Sequence, residues 1–525
     1  MAEKEKADVD TTPLNSAATL AAQDNNDVAM DVPMDVLAKM PRMSKPIIPD
    51  TFVPSSVVIT ELTDEEAMDV NVTDTDSEAD GDPPLSPMSM SNMSLSSMSN
   101  ISDSDIPDEV KATLRAQELE AIVKEDHLAP QSNVDKVVSQ VADLIDTPAD
   151  ESPLFVPATH SDNADFVAAY RKVYEDAVRP AMIAYRDFLA NEYRGRDKIG
   201  VRANPDGAAC YAASVRYWSS ITMDAADIHR LGLSEMGRIR SQMLEIAEAD
   251  FDTHDLKALM TTLRSDPQYT FQSEQAVLDF VNAAVERARI AVHDWFGNVP
   301  DSKVVIIPSP AYEKDSGSGF YSAGAADGSR PATIQVGTYN PTAISKAGME
   351  SLIFHEGYPG HHLQGSVALT NNSLHPIQRF MYVSGMAEGW ALYSERLADE
   401  MGLYSGPVTR MGMLSDQALR AARLVVDPGI HVLGWTRQDA IDYLLENTTQ
   451  NADAAAAEID RYAAVPGQAT SYMLGSLEIF RLRKKAETAL GDRFDIREFH
   501  DRLLANGGVT LPMLEQAIDA WIAEQ

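Results

Sequence analysis

From residue 108 onward, apolar positions recur at three- and four-residue spacing, the period of an amphipathic helix. The pattern runs through VKATLRAQELEAIVKE at 110–125 and NVDKVVSQVADLID at 133–146. A longer stretch at 163–193 carries Pro180 inside it. A kink or break is expected there, because the ring removes a backbone hydrogen bond and collides with the carbonyl four residues back. Helices are also expected over 225–249, 274–296 and 386–400. Two segments depart from this period. SKVVIIPSP at 302–310 reads as a short strand stopped by prolines, and ATIQVGTY at 332–339 alternates and is β-branched. Gly-Ser-Gly and Asp-Gly-Ser turns lie between them, and helix resumes afterwards to the C-terminus. The expected class is mainly α: a large helical domain with a small β element and no internal repeat.

Residues 1–107 follow neither period. They are rich in Asp, Ser, Met, Pro and Thr, and PPLSPMSMSNMSLSSMSNISDSD is of low complexity. Such a stretch cannot bury enough apolar surface to offset chain entropy. The expectation is a disordered acidic tail at 1–107 and one helical domain at 108–525. The whole chain of 525 residues has a net charge of -37. That counts against nucleic acid and anionic membrane as partners, since both repel it. Its plain role is solubility. There is one cysteine, Cys210, so neither an intramolecular disulfide nor a thiolate cluster can form. Any metal must be held by histidine and carboxylate. The opening MAEKEKADVD lacks the basic start and apolar core of a signal peptide, and no apolar run reaches membrane-spanning length. A cytoplasmic protein without membrane insertion is the resulting expectation.

Candidate chemistry is concentrated in FHEGYPGHHLQ. Of 11 histidines, three fall in one eight-residue window: His355, His361 and His362, with Glu356 directly after the first. In the H-E-x-x-H zinc helix two histidines four apart share one face, and the glutamate activates water. Here the spacings are six and seven. On a straight helix position six points away, and position seven lies about 10 Å further along. Pro359 clashes with the carbonyl of His355 and drives Tyr358 out of helical conformation, while Gly357 and Gly360 permit unusual backbone angles. A bulge or broken turn at GYPG is therefore expected. It would bring His361, or alternatively His362, back beside His355. The apolar lead-in at 344–354 would bury the site, which strengthens its electrostatics.

A zinc site of this kind needs a third protein ligand. MAEGWALYSERLADE carries Glu388 and Glu395 seven apart on one helical face. Glu388 is the expected ligand, with Gly389 and Ala391 letting another helix approach closely. Glu395 either orients a ligand histidine or is a surface charge. Two histidines and a carboxylate suit Zn2+, one per chain.

FHEGYPGHHLQ, GMAEGWALYSERL and RYAAVPGQATSYMLG resemble, in order, the bacterial proteins grouped as domain of unknown function 885 (DUF885). NPDGAACY, DGSRPATIQV and VVDPGIHVLGWTRQDAI agree, and the resemblance spans about Asp126 to the end. It implies kinship with helical zinc carboxypeptidases of the Taq type and the angiotensin-converting-enzyme group. The implied fold is mostly α with a deep cleft, and the implied function is hydrolysis of a peptide or small amide by carboxypeptidase or oligopeptidase action. Relatives are often exported and carry more helical sequence before the shared region. In this reading His355, His361 and Glu388 hold the metal and Glu356 moves the proton. Tyr472 and His431 are candidate donors to the oxyanion, with Tyr462 a third. Arg461 would grip a substrate carboxylate, and Gln468 and Tyr462 would contact substrate. ATIQVGTY would offer an edge to an added peptide strand. Two rivals remain: a non-peptidase metal amidase, and an inactive helical binding protein that retains the motif.

Overall fold

A computed structural model describes residues 127–309 and 319–525. The tail expected at 1–107, the helix expected over 110–125 and the end of the 302–310 segment lie outside the described residues. The rest is mainly α, as the periodicity requires. The first helix, α1 (Gln131–Asp146), is followed by α2 (Ala164–Val173) and α3 (Arg179–Asn191). Between α2 and α3 the chain is π-helical over Tyr174–Val178. Pro180 thus sits in the first turn of α3, where its missing N–H costs least. The expected kink at Pro180 is instead a widened turn before it, which absorbs the ring without ending the helix.

Next come α4 (Gly207–Ser219), the long α5 (Ala225–Phe251) and α6 (Glu274–Trp295). Three strands follow: β1 (Val304–Pro308), β2 (Phe320–Ser322) and β3 (Ala332–Val336). β3 is central, parallel to β1 and antiparallel to β2 in the order β1-β3-β2. ATIQVGTY therefore offers no open edge. β1 and β2 are the edges, and β2, at three residues, is too short to show alternation in sequence.

The site is carried by α7 (Met349–Glu356), α8 (His361–Thr370), the short α9 (Pro376–Phe380) and α10 (Ser384–Glu400). It is backed by α11 (Pro407–Pro428), α12 (Ala452–Ala464) and α13 (Ser471–Leu490). α5 packs along α11, and α10 along α13. The second pair crosses at glycine: a Cβ on Gly389 would lie 2.5 Å from the Gly475 backbone. Almost all of α10 is buried, and its Trp390 and Tyr393 join Phe296, Phe354 and Ile334 in one apolar core. That core fixes α7, α8 and α10 against the sheet.

Candidate metal centre

The helix that carries His355 and Glu356 stops at Glu356, and a new helix starts at His361. Between them Gly357 and Gly360 take ψ near -120° and -134°. The path is tight. A Cβ at Gly360 would fall 1.9 Å from the His355 carbonyl oxygen, so only glycine fits. From α10, the Trp390 indole N–H donates to the Pro359 carbonyl at 3.0 Å. The broken turn expected at GYPG is present, and it folds His361 back over His355. Their rings stand at 88° with centroids 5.0 Å apart.

Glu388 closes the group. Its Oε2 lies 3.5 Å from His355 Nε2 and 3.5 Å from His361 Nε2. All three donor atoms fall within 4.8 Å of one another. Both 3.5 Å separations exceed a good hydrogen bond. They match the edge of a tetrahedron built on bonds of about 2.1 Å, which is about 3.4 Å. The donor set of two imidazoles and one carboxylate suits zinc.

The surroundings favour positive charge at this point. Burial opposes a charged ring at His355, yet Glu388 and Glu395 outweigh it and lift its pKa to about 10. Burial alone would raise the Glu388 carboxyl, but His355 and His361 hold it well below the usual carboxylate range. Glu395, fully buried, accepts from His355 Nδ1 at 2.8 Å. The Nδ1 proton is thus committed to Glu395, and Nε2 is the nitrogen turned towards Glu388, the one a metal would take in place of a proton. Glu395 is itself held by Gln417 Nε2 at 3.0 Å, with Arg420 at 3.9 Å. Of its two readings, the orienting one fits and the surface-charge one does not.

His362 turns the other way. Its Nε2 lies 3.2 Å from both the Ser302 carbonyl and the Tyr358 hydroxyl, and its Nδ1 is 3.4 Å from the Tyr321 hydroxyl. One residue along a helix is a rotation of 100°, so His361 and His362 cannot share a target. Glu356 remains partly accessible, and its Oε2 accepts the Tyr321 backbone N–H at 2.9 Å. The edge strand β2 thus holds the carboxylate that follows the first ligand.

The downstream candidates divide. Tyr472 faces the site: burial and the charge of Glu388 push its phenol up. The Arg423 guanidinium covers its ring at 4.6 Å. Gln468 reaches Tyr472 and also accepts from Arg461 Nη1 at 2.8 Å. Arg461 also donates from Nε and Nη2 to Glu458 at 3.4 and 3.2 Å, so three of its five N–H groups are engaged within the protein. Tyr462 is fully buried and bonded to Glu458 and Arg423, so it supports the helices and cannot contact substrate or an oxyanion. His431 is likewise corrected. Its Nδ1 accepts from the Val201 N–H at 3.0 Å, and its Nε2 donates to the Tyr462 carbonyl at 3.0 Å. Both ring nitrogens are spent on backbone, so none remains for an oxyanion.

One neighbour was not anticipated. The Tyr382 hydroxyl, from the link between α9 and α10, donates to Glu388 Oε1. No spacing rule points to a tyrosine outside a helix, so nothing in the sequence pattern singled it out.

Among the described residues no helix is long and apolar enough to cross a membrane. No functionally curated protein matches the chain. Two solved structures, each described as a "putative lipoprotein", resemble it. That from Colwellia psychrerythraea superposes with a TM-score of 0.73 at 28% identity, over 77% of this chain and 72% of its own. That from Shewanella oneidensis, of unknown function, has a TM-score of 0.55 at 19% identity, over 74% and 73%, and shares the fold. The model of the family described as "Bacterial protein of unknown function (DUF885)" matches residues 107–518, so the chain belongs to that family.

Proposed function

We propose that the protein is a zinc-dependent hydrolase of peptide or amide bonds. The observation that carries this reading is the pair of 3.5 Å separations between Glu388 Oε2 and the two imidazoles. Hydrogen bonding alone would draw such groups closer. A bound zinc ion would supply a Lewis acid that polarises the scissile carbonyl and acidifies water. The protein's own part is proton transfer and positioning. Glu356 is partly accessible and held in place by Tyr321, as a carboxylate that takes a proton from water and returns it to the leaving amine requires. Tyr472, whose phenol is kept protonated, is the donor to the developing oxyanion. β3 is paired on both sides and the Tyr321 N–H of β2 is spent on Glu356, so this reading invokes no added peptide strand there. Arg461 keeps two N–H groups beyond those given to Glu458 and Gln468, so carboxypeptidase and oligopeptidase action both fit this geometry.

Elemental analysis of wild type beside His355→Ala tests the metal. About one zinc per chain, lost in the variant, is expected. Glu356→Gln should keep the metal and lose turnover by about 100-fold or more on a peptide and amide panel. A well-folded wild type that takes up no zinc overturns the reading. The similar structure from Colwellia psychrerythraea, described as a putative lipoprotein, favours export over a cytoplasmic location. Cell fractionation decides between them.

A further inference from the structure

We propose that Tyr382 is a positioning residue that holds Glu388 to ligation through one oxygen. This rests on the metal-site reading above.

The two oxygens of Glu388 have different partners. Oε2 faces both imidazoles at 3.5 Å, and Oε1 takes the Tyr382 hydroxyl. A carboxylate next to a cation readily turns both oxygens onto it. That would fill the position that water or substrate must occupy in a catalytic site with three protein ligands. The phenol prevents this by occupying Oε1, as hydrogen bonds from outside the ligand set generally orient the ligands.

The placement of Tyr382 is built into the fold. It sits in the three-residue link Met381–Val383, after the short helix α9 and before α10. That link is seated on the Asn506-Gly507-Gly508 loop near the C-terminus. The Gly508 N–H donates to the Gln378 carbonyl at 2.7 Å, and Gln378 Nε2 donates to the Asn506 carbonyl at 3.3 Å. A Cβ on Gly508 would lie 2.1 Å from the Met381 carbonyl oxygen, so the loop passes too closely for any other residue. Tyr382 as a residue is 59% exposed while its hydroxyl reaches the buried carboxylate. The ring contributes little to the core, and the hydroxyl can be removed without unfolding the protein.

The experiment uses the full chain. Zinc affinity is measured by chelator competition, and the absorption spectrum is recorded with Co2+ alone as the probe, for wild type, Tyr382→Phe and Gly508→Ala. Wild type should give the intense visible bands of a four-coordinate ion. Tyr382→Phe should bind zinc about 10- to 100-fold more weakly. Its Co2+ bands should weaken towards a five-coordinate pattern as Oε1 turns inward. Gly508→Ala touches no site residue and should shift both readouts the same way by displacing Met381. Wild-type affinity together with an unchanged Co2+ spectrum in Tyr382→Phe overturns the proposal and leaves the metal site standing. A wild type that binds neither ion removes the metal site and this proposal together.

Discussion

Gly360 is where the backbone decides whether a six-residue histidine spacing can serve one ion. In Gly360→Ala the new Cβ would meet the His355 carbonyl oxygen at 1.9 Å, that residue's carbonyl carbon at 2.5 Å and the Phe354 oxygen at 2.5 Å. All three are backbone atoms, so no side-chain rotation relieves the contact. An ordinary carbon–oxygen approach is about 3.3 Å, and the turn must open by about 1.4 Å to reach it. Metal sites tolerate errors of about 0.2 Å in donor distance, and a misplacement of about 1 Å is enough to cost about 100-fold. Zinc affinity of the variant should therefore fall about 100-fold or more. Gly237→Ala is the control: a Cβ there meets nothing within 4 Å on α5. It should leave affinity unchanged and stabilise the helix by about 1 kcal/mol. Chelator competition and thermal melts read both variants. Wild-type zinc affinity in a folded Gly360→Ala protein would refute the argument that this turn sets the site.

Three further outcomes follow from the geometry. Glu395→Gln replaces an acceptor that fixes the His355 tautomer with an amide that can also donate, and zinc affinity should fall about 10- to 100-fold; an unchanged titration would assign Glu395 to packing alone. Trp390→Phe strips the indole donor from the buried Pro359 carbonyl and should cost about 1–3 kcal/mol in denaturant unfolding, against a refuting cost near zero. Burial pushes His431 down to about 4 and His500 to about 3, so the unfolded chain binds more protons below about 6.5, and their stabilisation is lost as pH falls towards those values. Asp427 is raised by burial to about 7; its contribution is whole below about 3.8 and lost as pH rises through 7, so it gains as the histidines lose. Asp427→Asn should therefore steepen the loss of stability between pH 7 and 5 by about 2 kcal/mol, and an unaltered slope in urea titrations would contradict this.

Most of the scaffold could be read because its helices obey one period. α1, α5, α6 and α10 fall within a few residues of the expected spans, since each presents a single apolar stripe to a neighbour. Pro180 misled only in its consequence. A ring in a first turn costs little, and a widened turn placed it there. The strand order was not legible, because β2 has three residues and owes its place to pairing with β3 rather than to its own pattern.

The ligand group could be read for a different reason: its signals are local. The proline and two glycines of GYPG break the helix on chemistry carried within the motif, and the seven-residue spacing of Glu388 and Glu395 brings both to one histidine. What surrounds that group depends on which helices meet, and here residue type alone misleads. His431 and Tyr462 carry the chemistry of catalysis, but their polar atoms are satisfied by partners that include each other: His431 Nε2 bonds the Tyr462 carbonyl. Tyr382 has no pattern at all, and reaches Glu388 only because a loop more than a hundred residues later lies beneath it. A side chain that serves a site through tertiary placement leaves no periodic trace, so the polar surroundings of such a centre must be taken from geometry even where its ligands can be taken from sequence.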